Sequence, residues 1–150
     1  MNIKEEDIES KDAVILINQL SDTLSKITGS SGKSSFNNDD VKNDRSIFVI
    51  GRINGKPAGC GAIREISKDT AELKRMYAVN KGKGTGKEIL IYLENKARKF
   101  GYKEIILEIR KCNNNAVNFY IHNNYKIIDN YGKYKNRAEA VCFKKVLWLK

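Results

Sequence analysis

With 150 residues, 41% of them apolar and 31% charged, the chain is long enough to bury a core and is expected to form one globular domain over residues 1–150. No run of about 18 apolar residues occurs, so no membrane-spanning helix is expected, and the acidic start Met1–Asp7 lacks the basic-then-apolar layout of a secretory signal. The formal charge of +10 divides into a net −3 over residues 1–45 and +13 over residues 46–150; the basic part suits anionic partners, nucleic acid or a phosphorylated cofactor, and equally keeps a surface soluble.

The first predicted element is a helix over Lys11–Thr28, where Val14, Ile15, Ile17, Leu20, Leu24 and Ile27 recur at helical spacing and Gly29 supplies a stop. Residues 29–45 are rich in Gly, Ser, Asn and Asp without periodicity and read as a long mobile loop. Two β-rich runs over Ser46–Ile66 flank Asn54-Gly55, a strong hairpin signal. Thr70–Val79 is a further strand. The glycine-rich stretch that follows leads into a helix over Thr85–Phe100, with Ile89, Leu90, Leu93, Ala97 and Phe100 inward and Gly101 behind it. Lys103–Ile109 reads as a buried strand, and Asn113–Asn123 as a short helix capped by asparagine. Two more strands, over 125–134 and 138–149, complete the pattern. Strand–helix–strand around the glycines implies parallel or splayed pairing, and the hairpin and last strands imply antiparallel pairing. An α/β fold with a mixed sheet and helices on both faces fits this order.

Cys60, Cys112 and Cys142 are odd in number, far apart and without a CxxC pair, which argues against a disulfide framework or zinc site and for a cytoplasmic setting; no metal is expected. His122, the only histidine, has no acidic or cysteine partner at metal spacing. Cys60 reads as a small buried strand residue with no histidine to activate it.

Lys81–Lys87, KGKGTGK, carries the strongest functional signal. A nucleotide P-loop would need glycine at 81 and Ser or Thr at 88, where the chain has Lys81 and Glu88. A dinucleotide fingerprint would need its third glycine at 87, which is Lys87. A plain turn does not require three alternating glycines, each of which costs backbone entropy. An anion cradle does: bare amides of Gly82, Gly84 and Gly86 at the positive end of a helix, with Lys81, Lys83 and Lys87 around them.

This stretch resembles the pyrophosphate loop of the GNAT-type N-acetyltransferases, [Q/R]-x-x-G-x-[G/A], with Lys81 in the first position and Gly84, Thr85 and Gly86 in place. AELKRMY (Ala71–Tyr77) and KPAGCGAIR (Lys56–Arg64) resemble the strands before that loop. NNNAVNFYIHNNYKII resembles the family's N-x-x-A-x-x-x-Y-x-x-x-G-[FY] segment, with Asn113, Ala116, Tyr120 and Tyr125 in place and Asn124 where glycine is usual. The likeness spans residues 46–147. It departs at a connection from Tyr77 to Lys81 that is about two residues short and lacks a proline, and at Lys81, a point charge where arginine would offer a fork.

The resemblance implies a splayed central sheet and direct acetyl transfer from acetyl-CoA to an amine. Met76, Tyr77 and Ala78 would hold the thioester and pantetheine through backbone groups, and Lys81, Gly82, Lys83, Gly84, Thr85, Gly86 and Lys87 would hold the diphosphate. Asn113 would cap its helix and touch the cofactor. Tyr120 would protonate the leaving thiolate, against a competing reading as a core aromatic, and Glu72 would be the base, against a competing reading as an ion-paired carboxylate. Tyr131 and Tyr134 are either acceptor-pocket aromatics or turn residues. The acceptor would be a small-molecule or peptide amine, and the acidic first third suggests a cationic one such as a polyamine, an aminoglycoside or a basic peptide terminus. A homodimer is compatible with the sequence. Two other classes stay open: an acetyl-CoA-binding module with little catalysis, and a nucleic-acid binder, which lacks a recognisable motif and has its basic residues interspersed with acidic ones.

Overall fold

The computed structural model describes residues 1–33 and 36–148; Ser34 and Ser35, within the loop expected over 29–45, and Leu149, expected in the last strand, lie outside the described residues. The elements are β1 (Asn2–Glu5), α1 (Lys11–Thr28), β2 (Ile47–Ile53), β3 (Lys56–Glu65), β4 (Thr70–Ala78), α2 (Thr85–Lys99), β5 (Glu104–Arg110), α3 (Asn114–His122), β6 (Lys126–Ile128) and β7 (Ala140–Val146). The strands form one sheet in the order β1-β2-β3-β4-β5-β7-β6, in which only β4 and β5 run parallel. The mixed α/β sheet expected from the element order is present, with α2 and α3 against one face and α1 against the other.

Local chemistry sets most boundaries. Ser10 caps α1 by accepting from the Ala13 amide at 3.2 Å, and Gly29 at φ 78° closes it. Asn54 and Gly55, both at positive φ, make the tight β2–β3 turn. α2 ends one residue before the expected Phe100.

Three expectations are revised. α1 buries Ala13, Leu16, Leu20 and Ser21, while Val14 and Ile15 are exposed. Apolar residues at 13–17 run right around the helix, so periodicity alone did not select its inner face. The strand expected over 125–134 is only three residues long, because Gly132 at φ 53° opens a 3₁₀ turn over Gly132–Tyr134. The Asn130 amide fastens that turn, donating to the carbonyls of Tyr134, Arg137 and Ala140. Within the loop expected over 29–45, Asn38–Val41 forms a 3₁₀ turn with reciprocal capping between Asn37 and Asp40. β1, a four-residue edge strand on β2, was not foreseen, since its nearly all-exposed residues show no alternation.

Candidate active site

β4 and β5 pair over three rungs only, Thr70↔Glu104, Ala71↔Ile105 and Glu72↔Ile106. Beyond Glu72 each strand follows its other neighbour: β4 stays with β3 to Gly59↔Ala78, and β5 stays with β7 to Arg110↔Ala140. The sheet therefore opens into a cleft of about 750 Å³, walled by the C-terminal half of α1, β4, the 80–87 loop, β5 and α3. Among the described residues, splaying leaves the β5-facing edge of β4 without a strand partner beyond Glu72. The Val79 amide donates to the Ala58 carbonyl at 2.8 Å, toward β3. Alternation along the strand then turns the Tyr77 amide toward β3 and the amides of Met76 and Ala78 toward the cleft. All three residues line it.

The glycine loop closes one end. Gly82 and Gly84 sit at φ 79° and 78°, a region costly for any residue with a Cβ, and Gly84 is the N-cap of α2. No side chain caps that helix, so its first-turn amides at Thr85, Gly86 and Lys87 have no capping partner among the described residues. Lys81, Gly82, Gly84, Thr85, Gly86 and Lys87 line the cleft; Lys83 is exposed and does not. Uncapped amides, the helix dipole and two lysines on one wall are the donor set a diphosphate needs. Among the described residues no group of three His, Cys, Asp or Glu side chains is arranged to hold a metal.

Tyr120 lies on the cleft wall at 4% exposure, packed edge-on against Phe119 and Tyr125 with ring centroids 5.0 and 5.5 Å away. Its core and cleft positions therefore coexist. Burial alone pushes its hydroxyl pKa up, so the group keeps its proton. Asn113 caps α3, accepting from the Ala116 amide at 3.4 Å, and it also lines the cleft.

Glu72 is placed differently. It is 1% exposed, accepts from Arg64 at 2.7 Å and from the Tyr131 hydroxyl, and lines a second cavity of about 610 Å³ rather than the cleft. Tyr134 and Tyr131 pack edge-on beside it, 5.6 Å between centroids, and both line that second cavity. Cys60 is fully buried, its thiol pushed up to about 12 by burial and donating to the Arg75 carbonyl at 3.3 Å, which leaves it inert. His122 is exposed at the cleft margin, with Nδ1 2.7 Å from the Asn118 carbonyl.

Several cleft residues escaped the sequence reading. Glu108, on β5, has a side chain 9% exposed, and its Oε2 is buried without a hydrogen-bond partner among the described residues; Arg110 Nε is 3.7 Å from it. Burial, the largest influence, raises its pKa. The available signal was a carboxylate set inside the buried run Glu104–Arg110. Lys74 donates to the Tyr134 hydroxyl at 3.3 Å, and burial lowers its pKa. Arg75 stands at φ 58°, near the register shift between β3 and β4, which no local sequence signal marked.

The profile of the Acetyltransferase (GNAT) family matches residues 15–124. Solved structures share the fold. A Klebsiella pneumoniae chain assigned as an acyl-CoA N-acyltransferase superposes with a TM-score of 0.81 at 24% identity, covering 98% of this chain and 97% of its own. An aminoglycoside 6′-N-acetyltransferase complexed with coenzyme A gives 0.71 at 17% identity over 100% and 99% of the two chains. The PaiA N-acetyltransferase of Thermoplasma acidophilum, in complex with coenzyme A, gives 0.70 at 18% identity over 97% and 99%. No curated protein matches the sequence. Among the described residues no helix is long and apolar enough to cross a membrane.

Proposed function

The chain belongs to the GNAT acetyltransferase family, and from that premise we propose that it moves an acetyl group from acetyl-CoA directly to an amine, in the cytoplasm. The observation that carries this reading is one cleft that holds the uncapped start of α2, the unpaired edge of β4 and the Tyr120 ring. Acetyl-CoA supplies an activated thioester together with a diphosphate handle. The first-turn amides of α2, with Lys81 and Lys87, hold the diphosphate. The Met76 and Ala78 amides pair with the extended pantetheine chain and face the carbonyl oxygen as it gains charge.

In the reaction the amine nitrogen bonds to the carbonyl carbon and the carbon–sulfur bond breaks. The nitrogen gives up one proton and the sulfur gains one, leaving an amide and free coenzyme A. Tyr120, kept protonated by burial, donates its hydroxyl hydrogen to the leaving sulfur, and the proton shed by the nitrogen passes to water, from which the Tyr120 hydroxyl is restored. Glu72, held by Arg64 and Tyr131, anchors the point where the strands part.

Acetyl-CoA is expected to raise the melting temperature, while ATP and NAD are not. Thiol release across an amine panel then reads turnover. Tyr120→Phe is expected to cut that rate by about 10²-fold with little change in coenzyme A affinity. Tight coenzyme A binding without turnover of any amine would replace the enzyme with a binding module. A steep loss of nucleic-acid affinity with salt, alongside no response to acetyl-CoA, would favour the nucleic-acid reading.

A further inference from the structure

Three buried side-chain polar atoms among the described residues have no hydrogen-bond partner: Ser21 Oγ, Arg75 Nε and Glu108 Oε2. Ser21 lies inside α1, away from the cleft wall, but the other two residues both line the cleft. Burying a polar atom without a partner costs about 1–3 kcal/mol, and an unfilled acceptor and an unfilled donor belong to two residues that line the same cavity, which singles these residues out as candidates to receive a ligand. Strand alternation puts Glu108 with Glu72 and Lys74 on the face that carries α1 and the 129–137 segment, opposite α2 and α3. Tyr120 belongs to the α2–α3 face. Glu108 and Tyr120 therefore lie on opposite sides of the splayed sheet.

The charges at this end of the cleft narrow the acceptor further. Lys74, Arg75, Arg110 and Arg137 line it, against Glu108 as its carboxylate. Arg110 is met by Glu139 at 3.0 Å. Arg75 and Arg137 have no carboxylate partner among the described residues; the Arg75 guanidinium stacks 5.0 Å over Phe36, and Arg137 is exposed at the rim. Six of the nine acidic residues of the first third are engaged in ion pairs: Glu6 and Asp12 hold Arg52, Glu9 and Asp39 hold Lys42, Glu5 holds Lys96 and Asp40 holds Arg64.

Resting on the acetyl-transfer reading, we propose that the acceptor is an amine that also carries an anionic group, with its nitrogen on Glu108 and its anion on Arg75 and Arg137. A guanidinium suits either a carboxylate or a phosphate.

The test uses amines that differ at one end: n-propylamine, β-alanine, O-phosphoethanolamine and 1,3-diaminopropane, with an aminoglycoside as a polycationic comparator. Coenzyme A release and the melting shift of the coenzyme A-saturated protein are both read. β-Alanine or O-phosphoethanolamine is expected to lead n-propylamine and the diamine by about tenfold or more in kcat/KM, and the order of the two names the anion. Arg75→Gln is expected to erase that lead, and Arg137→Glu, at an exposed site that leaves folding intact, to invert it toward the diamine. Glu108→Gln is expected to weaken binding of every amine in the melting assay. If the diamine or the aminoglycoside leads and the arginine variants change nothing, the acceptor inference falls while acetyl transfer stands. If acetyl-CoA binds but no amine is consumed, both fall.

Discussion

Glu108 occupies a setting that penalises its charge. Burial raises its pKa most; Arg110, Lys74 and Arg137 pull it back, Glu72 pushes it up further, and Cys142 faces it on β7. A carboxyl whose pKa is raised on folding holds its proton more tightly folded than unfolded. Its stabilising contribution is therefore present at low pH and is lost as pH rises from the ordinary carboxylate range through the raised value. Glu108→Gln removes that loss. The variant is expected to melt with the wild type near about pH 4 and a few degrees higher near about pH 8, while amine turnover falls. Melting curves followed by circular dichroism at the two pH values check this. A variant that melts lower at the higher pH would make the carboxylate a structural partner rather than one held ready for a ligand.

The start of α2 allows a sharper test, because its glycines have different reasons to be there. Gly84 needs its left-handed backbone, so Gly84→Ala is expected to destabilise by about 1–2 kcal/mol and to weaken coenzyme A binding by displacing the cap. Gly86 lies within the helix, and a Cβ there would sit 3.5 Å from the Phe119 ring, an ordinary contact. Among the described residues no backbone angle or close contact demands glycine at 86. Gly86→Ala is thus expected to stabilise the free protein by up to about 1 kcal/mol, yet to lose coenzyme A affinity if a diphosphate lies against that turn. Urea melts and a coenzyme A titration separate the two effects. Unchanged affinity in Gly86→Ala would move the diphosphate away from the first turn.

What was legible in the sequence was what short-range chemistry decides. Asn54-Gly55 fixed a hairpin, Gly29 marked the end of α1, and the strand–helix–strand order required a mixed sheet, while the Ser10 cap at the start of α1 was not foreseen. The splay of β4 from β5 was expected through the family resemblance and not from any local window, and the exposure of Val14 and the facing of Glu108 into a cleft depend on packing between distant segments, which no local window carries. Charge pairing between segments was hidden for the same reason: Glu5, Glu6, Asp12 and Asp40 in the acidic first third pair with Lys96, Arg52 and Arg64 from later in the chain. The clearest long-range knot joins Asp40, Arg64 on β3, Glu72 on β4 and Tyr131, four segments that meet where the sheet opens. Glu72 is nearly fully buried there, so removing it leaves Arg64 with Asp40 alone and the Tyr131 hydroxyl without its acceptor. Glu72→Ala is expected to cost about 3 kcal/mol or more, read as a lower urea midpoint, and Glu72→Gln, which keeps an acceptor for Tyr131 but not the charge for Arg64, a smaller amount. If the knot only positions the strands, residual turnover in Glu72→Gln will follow the fraction folded, with an unaltered pH–rate profile. Loss of turnover by about 10²-fold at unchanged stability would instead return Glu72 to the chemistry as the base, with the knot serving to hold its carboxylate.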